Sequence, residues 1–205
     1  MSETNGTFEH AGHHHQHGAL FDVFFALMMT IGRGPFASFV CDLGQLAPSD
    51  ELVNVGCGPG AELRVAGRHC AGAVGVDPSP TMLRFCRAFN VLRGAHNVTV
   101  RAGTAENLPI DDRSASALWA VRSVHHWNDR RAGLLEALRV LSPRGRLLIV
   151  EEIVKPGKLG GMTHDEVSQL VAEVEGAGFA GVRCDSATHG RRLFNVVRAE
   201  RPLDG

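Results

Sequence analysis

The chain has no tyrosine and only two tryptophans, which counts slightly against a pocket built for flat aromatic acceptors. Its five cysteines, Cys41, Cys57, Cys70, Cys86 and Cys184, are odd in number and none form a C-x-x-C pair. Nothing in their spacing resembles a disulfide framework or a thiolate zinc site, so reduced thiols in a cytosol are expected. An excess of either charge is also missing. A formal net charge of -1 leaves no electrostatic footprint for nucleic acid or an anionic membrane, and neither is expected as a partner. The apolar run "ALFDVFFALMMTIG" (19–32) is too short to cross a bilayer comfortably and carries Asp22. The first ten residues are acidic, with no cleavage-like site after an apolar core, and a cytoplasmic protein is the expectation. No internal repeat or low-complexity linker divides the chain.

What is present reads as alternation. At 205 residues, 44% hydrophobic and 21% charged, the chain has the size and composition of one ordinary globular domain. "ELVNVG" (51–56) and "GAVGVD" (72–77) are short apolar runs of the kind that fill a buried parallel sheet. Ser79 and Pro80 stand as N-cap and first residue of a helix whose apolar face holds Met82, Phe85, Phe89 and Leu92. A third strand is expected at 97–103, a fourth at 117–124 and a helix at 130–142. A fifth strand (145–152) would follow a turn at Pro143–Gly145. The spacing of Thr163 and Glu166 predicts a capping box opening a helix over 163–178. Two last strands would form a hairpin at Gly190. The fold expected is α/β: a single doubly wound, mostly parallel seven-stranded sheet, Rossmann-like, with a C-terminal antiparallel hairpin. Residues 1–45 read as a histidine-rich leader and lid helix, and 46–205 as the domain proper.

Ligands in such sheets sit beyond the carboxyl ends of the strands, where strand order reverses. "VNVGCGPGAEL" places Gly56, Gly58 and Gly60 directly after the first strand, where they permit a tight turn and close approach of backbone to ligand. Asp77, ending the second strand, can accept hydrogen bonds from both hydroxyls of a ribose. Read as G-x-G-x-x-A (Gly56, Gly58, Ala61), the loop alone fits a dinucleotide as well as S-adenosylmethionine.

The ordered set "VNVGCGPG", "GVDPSPTML", "AGTAENLPIDDRSASALWAVRSVHHW" and "EALRVLSPRGRLLIVEE" resembles the class I S-adenosylmethionine-dependent methyltransferases, over roughly residues 51 to 200. The resemblance implies S-adenosylmethionine as cofactor. It places the Gly56–Gly60 loop under the methionine and ribose, Asp77 on the ribose hydroxyls, and Pro78 and Met82 against the adenine. The Ala105 amide would meet the adenine edge, and Arg122 and Ser123 would lie near the methionine amine and the transferred methyl. Two positions depart from the family. Asn54 and Thr104 stand where carboxylates are usual, so Asn54 brings no charge toward the methionine ammonium. Thr104 would bind the adenine amino group less strongly than an acid. Weaker cofactor binding follows from both.

A sulfonium donor is already activated, so the residues left to find are those that prepare the acceptor. A hydroxyl acceptor needs a base, or a divalent cation such as magnesium, to take its proton. His126 and His125 in "SVHHW" follow the fourth strand and titrate in the right range. Glu151 and Glu152, ending the fifth, are the other candidates. Five histidines (His10, His13, His14, His15, His17) precede the apolar run, and a leader closing as a lid would bring one or two of them over the acceptor, with a divalent metal whose ligands stay unassigned. Only about ten residues join the fifth strand to the capping-box helix. The cleft should therefore be open unless the N-terminal helix or a second copy, in a homodimer, covers it. An open cleft suits a large acceptor. With the histidine-rich leader, the chain is similar in general shape to small actinobacterial sugar O-methyltransferases of polymethylated polysaccharide synthesis. O-methylation of a sugar or oligosaccharide is the resulting expectation. N- or C-methylation of a small metabolite and a non-catalytic cofactor-binding subunit are the alternatives.

Overall fold

The computed structural model describes residues 34–203. The leader histidines and the apolar run 19–32 lie outside the described residues. Seven strands form one sheet: β1 (Glu51–Val55), β2 (Gly72–Asp77), β3 (Val98–Ala102), β4 (Ala115–Val121), β5 (Leu141–Glu152), β6 (Ala180–His189) and β7 (Arg192–Glu200). Their spatial order is β3-β2-β1-β4-β5-β7-β6. β1 to β5 run parallel, and β7 inserts antiparallel between β5 and the edge strand β6. The expected sheet is the one observed, with Gly190 at φ 61° turning the final hairpin. Strand order reverses between β1 and β4, so the carboxyl ends of these two strands part and leave a crevice.

Helices cover both faces: α1 (Gly34–Gly44), α2 (Ala61–Ala66), α3 (Pro80–Leu92), α4 (Arg130–Val140) and α5 (His164–Gly176). Val53, Val55, Leu118 and Ile149 pack on one side with Leu134 of α4 and Leu170 of α5. Leu52, Trp119, Leu148 and Val196 pack on the other with Val40 of α1 and Leu83 of α3. The alternation follows from the two-residue period of a strand buried on both faces.

Local chemistry sets the helix starts. The Ser79 hydroxyl accepts from the Met82 amide at 3.3 Å with Pro80 in the first turn. Thr163 and Glu166 close the capping box reciprocally at 3.3 and 2.7 Å. Asp129 caps α4 by accepting from the Ala132 amide at 3.0 Å.

Three expectations shift. The fourth strand stops at Val121, not at residue 124, because Arg122 turns to φ 52° and Val124–His126 form a 3-10 turn. The helix expected to reach residue 142 ends at Val140, since Leu141 is already extended and pairs with Ala115. The fifth strand therefore starts before the Pro143–Gly145 turn, which bulges out of it between the Ala115–Leu141 and Ala117–Arg146 pairs. Helices α1 and α2 were not anticipated. α1 lies on the leader side of the boundary drawn at residue 45, yet Ala37, Val40 and Cys41 bury one of its faces in the domain. α2 is six residues long, too short for helical periodicity to register.

Candidate active site

The loop leaving β1 is fixed before any ligand is considered. The amides of Gly56 and Cys57 both donate to the Val76 carbonyl, at 2.8 and 3.1 Å, tying the turn to β2. Gly56 has φ 72°, and a Cβ there would meet the Ser123 Cβ at 2.4 Å. The two strand ends can approach because residue 56 carries no side chain, and the Ser123 hydroxyl secures them by donating to the Val55 carbonyl at 2.8 Å. Gly60, at φ 77°, packs its α-carbon on α3, where a Cβ would come 2.2 Å from the Cys86 sulfur. Gly58 (φ 52°) opens into free space. Both require a left-handed backbone that only glycine adopts without strain.

Asp77 holds this loop to the next element. Its Oδ2 accepts from the Gly58 amide at 2.8 Å and its Oδ1 from the Ser79 amide at 2.9 Å. Burial pushes its carboxyl above the usual range, and the two amides pull it partly back. Each oxygen keeps a free lone pair, so two hydroxyls of a ligand can still be accepted.

Beyond the loop lies a cleft of about 390 Å³, within the range of small-molecule and cofactor sites. Gly56, Gly58, Asp77, Pro78 and Met82 line one part of it. Thr104, Ala105, Arg122, Ser123 and His126 line the rest, with Glu106, Trp127 and Asn128. The cleft thus brings together ten of the residues expected from the sequence. Asn54, Gly60, His125 and Glu151 stand behind its wall. Asn54 is 2% exposed, in register between Gly75 and Trp119, and its Oδ1 has no hydrogen-bond partner among the described residues. An orphaned buried acceptor costs on the order of 1–3 kcal/mol.

Glu106 and Asn128 escaped the sequence reading. Glu106 Oε1 accepts from the amides of Asn128 and Asp129 at 2.8 and 3.2 Å. Burial works against its charge, but backbone amides and the Thr104 hydroxyl hold the carboxyl below its ordinary value. The signal was present in principle: the amides before the Asp129 cap need an acceptor, and "TAEN" supplies one. Its position is fixed only by the pairing of distant segments. Trp127 lies across α4, where a Cβ on Gly133 would come 2.5 Å from the indole and 3.3 Å from Ala105. One glycine in α4 therefore makes room for the aromatic wall.

The titratable end of the cleft is built across β4 and β5. Glu151, 1% exposed, spends Oε1 on the Val124 amide and Oε2 on Nδ1 of His125, both at 2.8 Å. The His125 and His126 rings lie with centroids 4.0 Å apart. Partial burial, His125 and Arg122 together push the His126 imidazole below its ordinary pKa, against the opposing pull of Glu151. His126 is the partner that faces the cleft, and His125 is the one clamped to the carboxylate. Arg122 holds a guanidinium nitrogen 3.8 Å from Glu152, and its buried Nε has no partner among the described residues. No group of three or more His, Cys, Asp or Glu that could hold a metal forms among the described residues.

Residues 53–149 match the family model of a methyltransferase domain. The demethylmenaquinone methyltransferase of Tropheryma whipplei is 34% identical over 111 residues, 54% of this chain and 45% of that protein. An uncharacterized methyltransferase of Bacillus subtilis is 30% identical over 116 residues, 54% of this chain and 46% of its own length. The matched region thus spans under half the length of these curated relatives. Among solved structures, an S-adenosylmethionine-dependent methyltransferase from Aquifex aeolicus superposes with a TM-score of 0.72. It has 19% identity and covers 87% of this chain and 97% of that one. At that identity the likeness speaks for the fold.

Proposed function

We propose that this chain, which belongs to the class I S-adenosylmethionine-dependent methyltransferases through residues 53–149, transfers a methyl group to a hydroxyl-bearing acceptor with His126 as general base. The observation that carries the reading is the placement of a histidine, its pKa pushed below the ordinary value by partial burial, His125 and Arg122, in the cleft wall beside the glycine loop. When bound, S-adenosylmethionine supplies a methyl group on a positively charged sulfur, already activated for transfer. The residues fit it. Gly58 leaves its space open, Asp77 keeps acceptor capacity for two hydroxyls, and Pro78 and Met82 give apolar contact.

The protein's remaining work is on the acceptor. His126 takes the proton of the incoming hydroxyl, because a neutral alcohol is a poor nucleophile. His125 stands beside it, and Glu151 fixes the His125 ring while its charge favours protonated His126. Trp127 forms part of the cleft wall.

For the acceptor, two chemistries are compatible with a histidine base. One is an alcohol of a sugar or oligosaccharide, supported by the short connection after β5 that leaves the cleft uncovered from that side. The other is a hydroxylated aromatic ring methylated at carbon: His126 takes the phenol proton, the ring carbon bonds the methyl as its bond to sulfur breaks, and the ring C–H proton then passes to the phenol oxygen, restoring the aromatic ring. The similarity to a demethylmenaquinone methyltransferase and the indole of Trp127 in the cleft wall near His126 favour it. Turnover assays with sugar and quinol acceptors side by side decide between them. The common reading requires that His126→Ala lose turnover on whichever acceptor is used while keeping cofactor affinity. Unchanged turnover in that variant would refute the base.

A further inference from the structure

The near-neutral charge of the whole chain conceals a one-sided region. Between Leu63 and Ala105 stand Arg64, Arg68, Arg84, Arg87, Arg93 and Arg101, and the sole carboxylate is Asp77, which is buried in the cleft. Arg68, Arg84 and Arg93 form no ion pair among the described residues. Arg87 and Arg101 donate to the backbone carbonyls of Val100 and Pro109. Arg64 donates to the Pro59 carbonyl at 2.6 Å and lies over the Phe89 ring, 5.3 Å from its centroid. Arg64, Arg68 and Arg93 surround one hollow, with no carboxylate in its lining.

The apolar side chains of this region break the usual pattern in the same place. On α3, Val91 is 82% exposed and Leu92 75%, at the end of the helix away from the cleft. Ala88 is exposed, and Phe85 and Phe89 are half-buried and stacked, with centroids 6.4 Å apart. Helical spacing puts Phe85, Ala88, Phe89 and Leu92 in one row. Arg84 and Arg87 flank that row on one side. Arg64 over Phe89, with Arg68 and Arg93, flanks it on the other. An apolar ridge between two lines of guanidinium groups is the arrangement of a helix that lies in a membrane interface. The apolar ridge enters the acyl boundary while the arginines meet headgroup phosphates. Among the described residues no helix is long and apolar enough to span a bilayer, so the contact is one of surface docking.

We propose that the outer face of α3, with the end of α2 and the loop after α3, docks this protein on an anionic lipid bilayer. The charge complementarity selects the partner: guanidinium groups without an ion pair among the described residues supply attraction to phosphate, and Leu92 at the end of the apolar row, with exposed Val91 beside it in the Arg84–Arg87 row, supplies insertion. The inference does not depend on the methyl-transfer reading, since neither residue lines the cleft.

The test is flotation of the full chain with vesicles of phosphatidylcholine alone and of phosphatidylcholine mixed with phosphatidylglycerol. The protein should float with the anionic vesicles, stay behind with the neutral ones, and be released by raised salt. The double variant Val91→Ser/Leu92→Ser should bind anionic vesicles about tenfold or more weakly, and Arg84→Gln/Arg93→Gln should do the same. Circular dichroism of both variants should match the parent, since all four side chains are exposed. Absence of binding to anionic vesicles overturns the proposal. So does full retention by the Val91/Leu92 variant combined with release by inorganic phosphate at constant ionic strength, which would make the patch a plain anion site. Tighter binding to an RNA oligonucleotide, insensitive to Val91 and Leu92, would reassign the face to nucleic acid.

Discussion

The two sides of the cleft are made of different material. On the β1–β2 side, shape comes from backbone: three left-handed glycines, a carbonyl that accepts two amides, and one carboxylate bound to two more. On the β4–β5 side, shape comes from side chains that meet across long stretches of sequence, as Glu151 meets His125 and Glu106 meets the amide of Asn128. The first side is rigid by local stereochemistry. The second is tuned by burial and neighbouring charge, which is where a titrating group is useful. Donor binding and acceptor activation are thus assigned to separate structural devices, and changes on one side should leave the other largely intact.

The largest effect that would sharpen this division is Gly56→Val. It forces a bulky side chain into a left-handed backbone and against Ser123, so it should abolish cofactor binding in calorimetry and lower the melting temperature. Retained binding would show that the strand ends can part freely. Next comes His126→Ala, with turnover down about 10²–10⁴-fold and cofactor affinity unchanged. A parallel fall in affinity would merge the two sides.

Glu151→Gln should act more mildly. Removing the carboxylate takes away a charge that favours protonated His126, so the imidazole pKa falls further. A base works when unprotonated, so turnover in the parent should persist below the ordinary histidine range and fall only as acid protonates His126. In Glu151→Gln that acid limb should move to still lower pH, with a reduced plateau because His125 loses its anchor. An unmoved limb would mean that His126 does not set the pH profile. The smallest effect expected is Gly133→Ala. The added methyl presses on Trp127 and should cost about 1–3 kcal/mol in stability by overpacking, with a modest loss of cofactor affinity through Ala105. Denaturant unfolding reads the first and calorimetry the second.

The same division explains what could be read from the chain before its structure. Ser79 and the Thr163–Glu166 box act over a few residues, and Gly56, Gly58, Gly60 and Asp77 stand at strand ends in a recognisable spacing, so the sequence reveals them. The central strands were legible because a sheet buried on both faces needs continuous apolar runs, whereas the more exposed β3 and β6 were legible from alternation and from the turn at Gly190. Arg122 defeated the strand boundary because its left-handed turn has no local signature in a residue of that type. Glu106 and Asn128 were missed because they work as partners only once β4 has brought their loops together. The assignment of roles between the two histidines also needed the fold. Sequence placed both at the right strand end, but the buried Glu151 determines which is clamped and leaves His126 facing the cleft. A net value over 205 residues likewise says nothing of how charge is distributed, such as the six arginines between Leu63 and Ala105.

The most direct test of the central claim is calorimetric titration of S-adenosylmethionine into the parent protein, Asp77→Ala and His126→Ala. The account predicts micromolar binding by the parent, a loss of about tenfold or more in Asp77→Ala, where charge-assisted hydrogen bonds disappear, and no loss in His126→Ala. Absence of binding by the parent, or an equal loss in both variants, would contradict it.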